Sequence, residues 1–197
     1  MRVISGIARG RPLRASATIR PTADRIKGSI FSILEALAYK RGFEPDEEGV
    51  LAAALAWPRV LDLFAGSGAL GIEALSRGAQ HASFIEHDRE AARMIEANLR
   101  ATGLDDRGHV HLGPLHLGLG RVRGPFDLVF ADPPYNDAGA VSETVERLGK
   151  SDLLLPSSVL ILEQPAADEP PPAVGPLPLS STRRHGRTRI TVYSTAE

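Results

Sequence analysis

No cysteine occurs among the 197 residues, which excludes disulfides and thiolate-held metals. No apolar run is long enough to cross a bilayer. No signal-peptide pattern opens the chain, where Met1-Arg2-Val3-Ile4-Ser5 reads as the start of a strand. Internal repeats are absent, and the net charge is only −1. Cytoplasmic residence with no membrane partner is the expectation. What is present suits one α/β domain with a small appendage: 43% of residues are hydrophobic and 24% charged.

The small net charge conceals an asymmetry. Residues 1–41 carry nine Lys/Arg against two acids, a local net of +7. Residues 183–197 carry four Arg against one Glu, a net of +3, whereas residues 42–182 have a net of −11. A basic segment on an acidic body fits a polyanion contact, and fits a solvated basic face about equally well.

Residues 1–20 alternate short apolar stretches with Arg and Gly, the pattern of a hairpin or extended arm. Pro21-Thr22 then opens a helix with Thr22 as N-cap, and Ile26, Ile30, Ile33, Leu34 and Leu37 follow helical spacing. This divides the chain into a basic arm and helix (1–41), a polar linker or insert (42–58) and an α/β domain (59–197). In the last, strands are expected at Val60–Phe64, Ala82–Glu86, His109–Leu112, Phe126–Ala131, Ser158–Glu163 and Thr188–Ser194. Helices are expected at Ala69–Arg77, from Asp88 to about Thr102, and at Ala138–Leu148. Such alternation indicates a mostly parallel sheet with helices on both faces. The stretch 165–178, with six prolines, reads as a loop.

The first of these strands runs into Asp62-Leu63-Phe64-Ala65-Gly66-Ser67-Gly68-Ala69-Leu70-Gly71. Glycines at a strand-to-helix turn let a ligand approach the backbone. Glu86, followed by His87, ends the next strand 20 residues after Gly66, where an acid can bind ribose hydroxyls. A nicotinamide dinucleotide and S-adenosylmethionine both carry that ribose. Asp62 favours the second, since a carboxylate suits the ammonium of the methionine moiety and repels a pyrophosphate. The candidate cofactor contacts are therefore Asp62, Phe64, Ala65, Gly66, Ser67, Gly68, Glu86 and His87.

Phe126-Asp127-Leu128-Val129-Phe130-Ala131 ends in Asp132-Pro133-Pro134-Tyr135. Ligands of open α/β sheets bind beyond the carboxyl ends of the strands, so this turn shares an edge with the glycine loop. Two prolines fix the backbone and leave carbonyls free to accept. An amino group on a planar base offers two hydrogens, one for Asp132 and one for the Pro133 carbonyl. Its lone pair is then aimed at a methyl donor, and Tyr135 can stack on the base. The catalytic candidates are Asp132, Pro133, Pro134 and Tyr135; the turn itself does not choose the base. A rigid turn after a strand is the bland alternative.

Asp62 to Ala79 and Asp132 to Tyr135 resemble the RsmD-type 16S ribosomal RNA (guanine-N2)-methyltransferase family. So do Arg2-Val-Ile-Ser-Gly6, Arg9-Gly10, Leu13, Arg20-Pro-Thr-Ala-Asp-Arg25 and Arg183 to Tyr193, and the likeness covers nearly the whole chain. It implies a Rossmann-like class I fold with a mostly parallel, doubly wound, seven-stranded sheet and a small N-terminal extension. It also implies S-adenosylmethionine as cofactor, guanine held by Asp132, Pro133 and Tyr135, and Arg20, Thr22 and Arg25 near the methionine end or the RNA. Small-subunit ribosomal RNA, free or in an assembled or assembling 30S particle, is the implied partner of a monomer, with Arg2, Arg9, Arg11, Arg14, Arg20 and Arg184 as candidate RNA contacts. Gly113-Pro114 departs from the small acidic or amide turn expected after the third strand.

No metal is expected, because no acid or cysteine completes a set with His109, His111 and His116. Glu163 reads either as lining the site or as a surface acid. Two other functions remain open: an adenine-N6 or cytosine-N4 methyltransferase, and a non-catalytic RNA-binding or assembly factor.

Overall fold

A computed structural model describes residues 1–15, 24–44, 56–134 and 139–195. Thr22, Arg20, Tyr135 and most of the expected linker lie outside the described residues. The helix expected after Thr22 is α1 (Asp24–Lys40), and its five periodic apolar residues are all buried.

From Arg59 the chain alternates: β1 (Arg59–Leu63), α2 (Ala69–Ser76), β2 (His81–Glu86), α3 (Arg89–Thr102), β3 (Gly108–Leu112), α4 (Leu115–Leu119), β4 (Phe126–Ala131) and α5 (Ala140–Gly149). Then come β5 (Leu154–Pro165), β6 (Ala173–Val174), β7 (Leu177–His185) and β8 (Thr188–Tyr193). The strand order is β3-β2-β1-β4-β5-β8-β7-β6. The first five pair in parallel, and β8, β7 and β6 add antiparallel pairs.

Among the described residues the sheet therefore has eight strands, where seven were expected. The additional strand lies inside the proline-rich stretch, which is not all loop. There Ala173 pairs with Pro178, Pro176 lies in the turn between β6 and β7, and Pro170 to Pro172 precede β6. β7 also escaped sequence reading, because all but its first and last residues are exposed and no alternation marks it. The short α4 was likewise unassigned.

Alternate residues of each strand feed two cores. Val60, Phe84, Leu128, Phe130, Ile161 and Val192 pack against α1, α2 and α3. Leu61, Leu63, Ile85, Val129 and Leu162 pack on the other face against α4 and α5 through Leu115 and Leu148.

The N-terminal arm is a hairpin docked on this frame. Val3 N–H donates to Arg11 C=O (3.0 Å) and Leu13 N–H to Met1 C=O (3.1 Å). Val3, Ala8 and Leu13 are buried with the α1 side of the core. At the far end of α2, Ile7 N–H and Ala8 N–H donate to the Ser76 carbonyl and hydroxyl (2.8 and 3.0 Å). Gly6 makes this approach possible: a Cβ there would stand 1.8 Å from Ser76 C=O. Glu73 secures the arm further, accepting from Ile4 N–H (2.8 Å), Ser5 N–H (2.9 Å), Lys27 Nζ (3.0 Å) and Arg77 Nε (2.9 Å).

Candidate active site

The glycine loop leaves β1 through Phe64, whose φ of 56° is left-handed, a conformation costing a bulky residue about 1–3 kcal/mol. Such strain persists where the surroundings impose it, and here Ala65 N–H donates to Ile85 C=O (3.2 Å) directly after the bend. Gly68 N–H then closes a turn onto Ala65 C=O (2.7 Å), and α2 begins. Gly71 lets α2 lie close on the sheet: a Cβ there would meet the Phe84 ring at 2.3 Å.

Three acids gather around this loop. Asp62 is buried beneath it and accepts from Gly71 N–H (2.9 Å). Burial pushes its carboxyl up to about 8; the Gly71 bond opposes the shift, and the nearby Asp132 and Glu86 add to it. Burial thus favours the protonated form of Asp62. Repulsion of a pyrophosphate rests on the group of acids rather than on Asp62 alone.

Glu86 is buried at the end of β2 and grips the loop directly. Its Oε2 accepts from Gly66 N–H (2.7 Å) and its Oε1 from Asp88 N–H (2.9 Å). Exposed His87 places Nδ1 3.1 Å from Oε1. A carboxylate has about four acceptor positions, so Glu86 keeps capacity for hydroxyl donors. Asp88 is the N-cap of α3, accepting from Ala91 N–H (2.8 Å), as its position before that helix suggested.

The paired rungs of β1, β4 and β5 end at Leu63, Ala131 and Leu162. The next residues, Phe64, Asp132 and Glu163, thus stand beside one another at the rim. Asp132 is half-buried, Pro133 buried and Pro134 exposed. Glu163 is 2% exposed, so it is not a surface acid. A cleft of about 230 Å³ opens beside this rim. It is lined by Phe64, Ile85, His87, Pro114, Leu115 and Pro134, among others. An apolar slot with polar groups at its margin suits a planar ring.

The structure thus brings together Asp62, Phe64, the glycine loop, Glu86, His87 and the Asp132-Pro133-Pro134 turn. The arginines are dispersed. Arg2, Arg9, Arg11, Arg14, Arg25 and Arg184 are exposed, the first four on the hairpin. Arg11 donates to Ala101 C=O (2.8 Å) at the end of α3. Arg184 lies opposite Arg189 in the β7–β8 ladder. In the next rung His185 Nε2 lies 3.0 Å from Ser29 Oγ, tying that hairpin to α1. Sequence reading missed Ile85, Leu115, Ala140 and Glu143 as cleft residues, since they belong to three elements with no shared motif. It also missed Asn98, although an Asn on the apolar face of α3 was a visible signal. Among the described residues no group of three or more His, Asp or Glu could hold a metal, and no helix is long and apolar enough to cross a membrane.

Comparison with known proteins bears on what such a rim does. The sequence matches the family described as "Conserved hypothetical protein 95" over residues 1–194. It is 34% identical to a putative rRNA methyltransferase of Bacillus subtilis over 98% of both chains. It is 32% identical to the ribosomal RNA small subunit methyltransferase D of Escherichia coli, over 83% of this chain and 74% of the other. Among solved structures, a putative methyltransferase from Escherichia coli superposes with a TM-score of 0.77 at 30% identity, covering 98% of this chain and 96% of that one.

Proposed function

The chain belongs to the family described as "Conserved hypothetical protein 95" and is an RsmD-type methyltransferase with a Rossmann-like fold, and from that premise we propose that it methylates the N2 amino group of a guanine in small-subunit ribosomal RNA. The observation that supports this most is the shared rim. The Glu86-held glycine loop and the Asp132-Pro133-Pro134 turn flank one cleft at the ends of adjacent strands.

The residues fit S-adenosylmethionine. A ligand bearing a sulfonium and an ammonium suits a place where Asp62, pushed up to about 8 chiefly by burial, also lies beside Asp132 and Glu86. Asp62 and the loop Phe64 to Gly68 would hold the methionine end, Glu86 the ribose, and Phe64, Ile85, His87 and Leu115 the ring. Bound there, the cofactor supplies an electrophilic methyl group.

The protein's own part is alignment and electrostatics. The Asp132 carboxylate accepts one hydrogen of the guanine amine and the Pro133 carbonyl the other, which turns the nitrogen lone pair toward the loop. Asp132 then stabilises the positive charge that grows on nitrogen as the new bond forms. Pro133 and Pro134 lack N–H groups, so nothing in them competes for that geometry. The target base must leave its stack to reach this rim. Arg2, Arg9, Arg11, Arg14 and Arg184 would contact phosphates, with the 30S particle, assembled or assembling, as the setting and a cytoplasmic monomer as the acting form.

The test is incubation with labelled S-adenosylmethionine and unmodified 30S particles, naked ribosomal RNA or DNA, followed by mass analysis of nucleosides. N2-methylguanosine is expected. N6-methyladenine or N4-methylcytosine overturns the base assignment, and no product with cofactor bound favours the non-catalytic reading.

A further inference from the structure

Two side chains, Glu86 and Asn98, hold the glycine loop at Gly66 and Ser67, and only the first is itself a proposed cofactor contact. Gly66 N–H donates to Glu86 Oε2 at 2.7 Å. Ser67 C=O accepts from Asn98 Nδ2 at 2.9 Å. Asn98 is fully buried on the face of α3 that carries Ala91, Ile95, Leu99 and Thr102. Its Oδ1 accepts from Arg14 N–H (2.8 Å), and Nδ2 also donates to Arg14 C=O (3.0 Å). One carboxamide thus joins the N-terminal arm to the middle of the glycine loop, using its oxygen and both its protons.

We infer that Asn98 is a positioning residue of the methyl-transfer reaction: through it the docked arm sets the shape of the glycine loop, and with it the affinity for cofactor. The inference rests on the S-adenosylmethionine reading of that loop. A primary amide can accept from one backbone N–H and donate to two carbonyls at once. Aspartate, of the same shape, would set an oxygen against the Ser67 and Arg14 carbonyls. Leucine would leave the Arg14 N–H and C=O and the buried Ser67 C=O without this partner. The arm itself cannot follow a moving loop, because Glu73 and Ser76 fasten it to α2. The strained bend at Phe64 makes the loop the part that yields. A shift at Ser67 carries Gly66 with it and misaligns Glu86.

The test is calorimetric titration of S-adenosylhomocysteine into the full chain, with thermal melts on the same samples. Wild type binds; if it does not, the proposed function fails together with this inference. Asn98→Leu, and the milder Asn98→Ser should leucine prevent folding, bind about tenfold more weakly at a temperature where the melts show them folded. Thr102→Val keeps wild-type affinity: it removes a hydroxyl that bonds the Asn98 and Leu99 carbonyls (2.8 and 2.9 Å), loosening the same helix without touching the loop. Asn98→Asp binds weakly at pH 8 and recovers toward pH 5.5 relative to wild type, as a protonated carboxyl regains an O–H to donate. In turnover, KM for S-adenosylmethionine rises about tenfold while kcat at saturating cofactor stays within about twofold. Wild-type affinity in a folded Asn98 variant, equal loss in Thr102→Val, or pH-independent weakening in Asn98→Asp overturns the proposal.

Discussion

Glu73 and Asp62 are both buried carboxylic acids within the same ten-odd residues of chain, and their surroundings are opposites. Glu73 lies at the centre of Lys27, Arg77 and two backbone N–H donors of the arm. Its charge is matched locally, and the result is attachment of the arm to α1 and α2. Asp62 accepts from Gly71 N–H and faces two further acids, Asp132 and Glu86. A buried acid surrounded by cations holds a fold together; acids crowded against one another hold a place for a cation from outside.

The sharpest way to break this contrast is to remove each acid and ask what is lost. Glu73→Ala leaves Lys27 and Arg77 buried without their partner and should cost about 3–5 kcal/mol of stability. Urea melts measure this; a loss below about 1 kcal/mol would remove the ion cluster as the arm's anchor. Asp132→Ala should leave melts nearly unchanged and lower single-turnover methyl transfer by about 100-fold or more. Its S-adenosylhomocysteine affinity should stay within about threefold of wild type; loss of binding would mean that Asp132 serves the cofactor. Glu86→Ala should weaken cofactor binding by about 1.5–3 kcal/mol, through the ribose contacts and the released Gly66 N–H. An unchanged dissociation constant by calorimetry would count against that role.

The smallest effect, taken per unit of pH, concerns Asp62. Its folded carboxyl is raised to about 8, against about 3.9 unfolded. Between those values the folded protein holds a proton that the unfolded chain has released. Stability therefore falls as pH rises through that window, on the order of 1 kcal/mol per pH unit from this group. Asp62→Asn keeps an acceptor for Gly71 N–H and should flatten the dependence between pH 5.5 and 8. Equal slopes in urea melts across that range would show that Asp62 is already ionised.

Much of this was legible before any fold was known. Helical spacing marked α1 from Ile26 to Leu37, and Asp88 was readable as a cap. The glycine loop and the Asp132 turn were placed on one edge by strand-end reasoning alone. β7 was not readable, because a strand exposed along most of its length has no apolar alternation. β6 was hidden by the prolines around it. Among the acids, Glu163 could not be assigned inside or outside, and burial decided it.

The sequence by itself determined the alternation of strands and helices, the two site motifs and the family, because these depend on local periodicity and on residues close together in the chain. Tertiary structure alone decided which buried charges are matched. Glu73 meets residues 4 and 5 and Lys27, and Asn98 meets Arg14 and Ser67. Asp62 meets Asp132 and Glu86. Whether a carboxylate is stabilised or crowded depends on neighbours within a few ångströms, and folding draws those neighbours from distant parts of the chain.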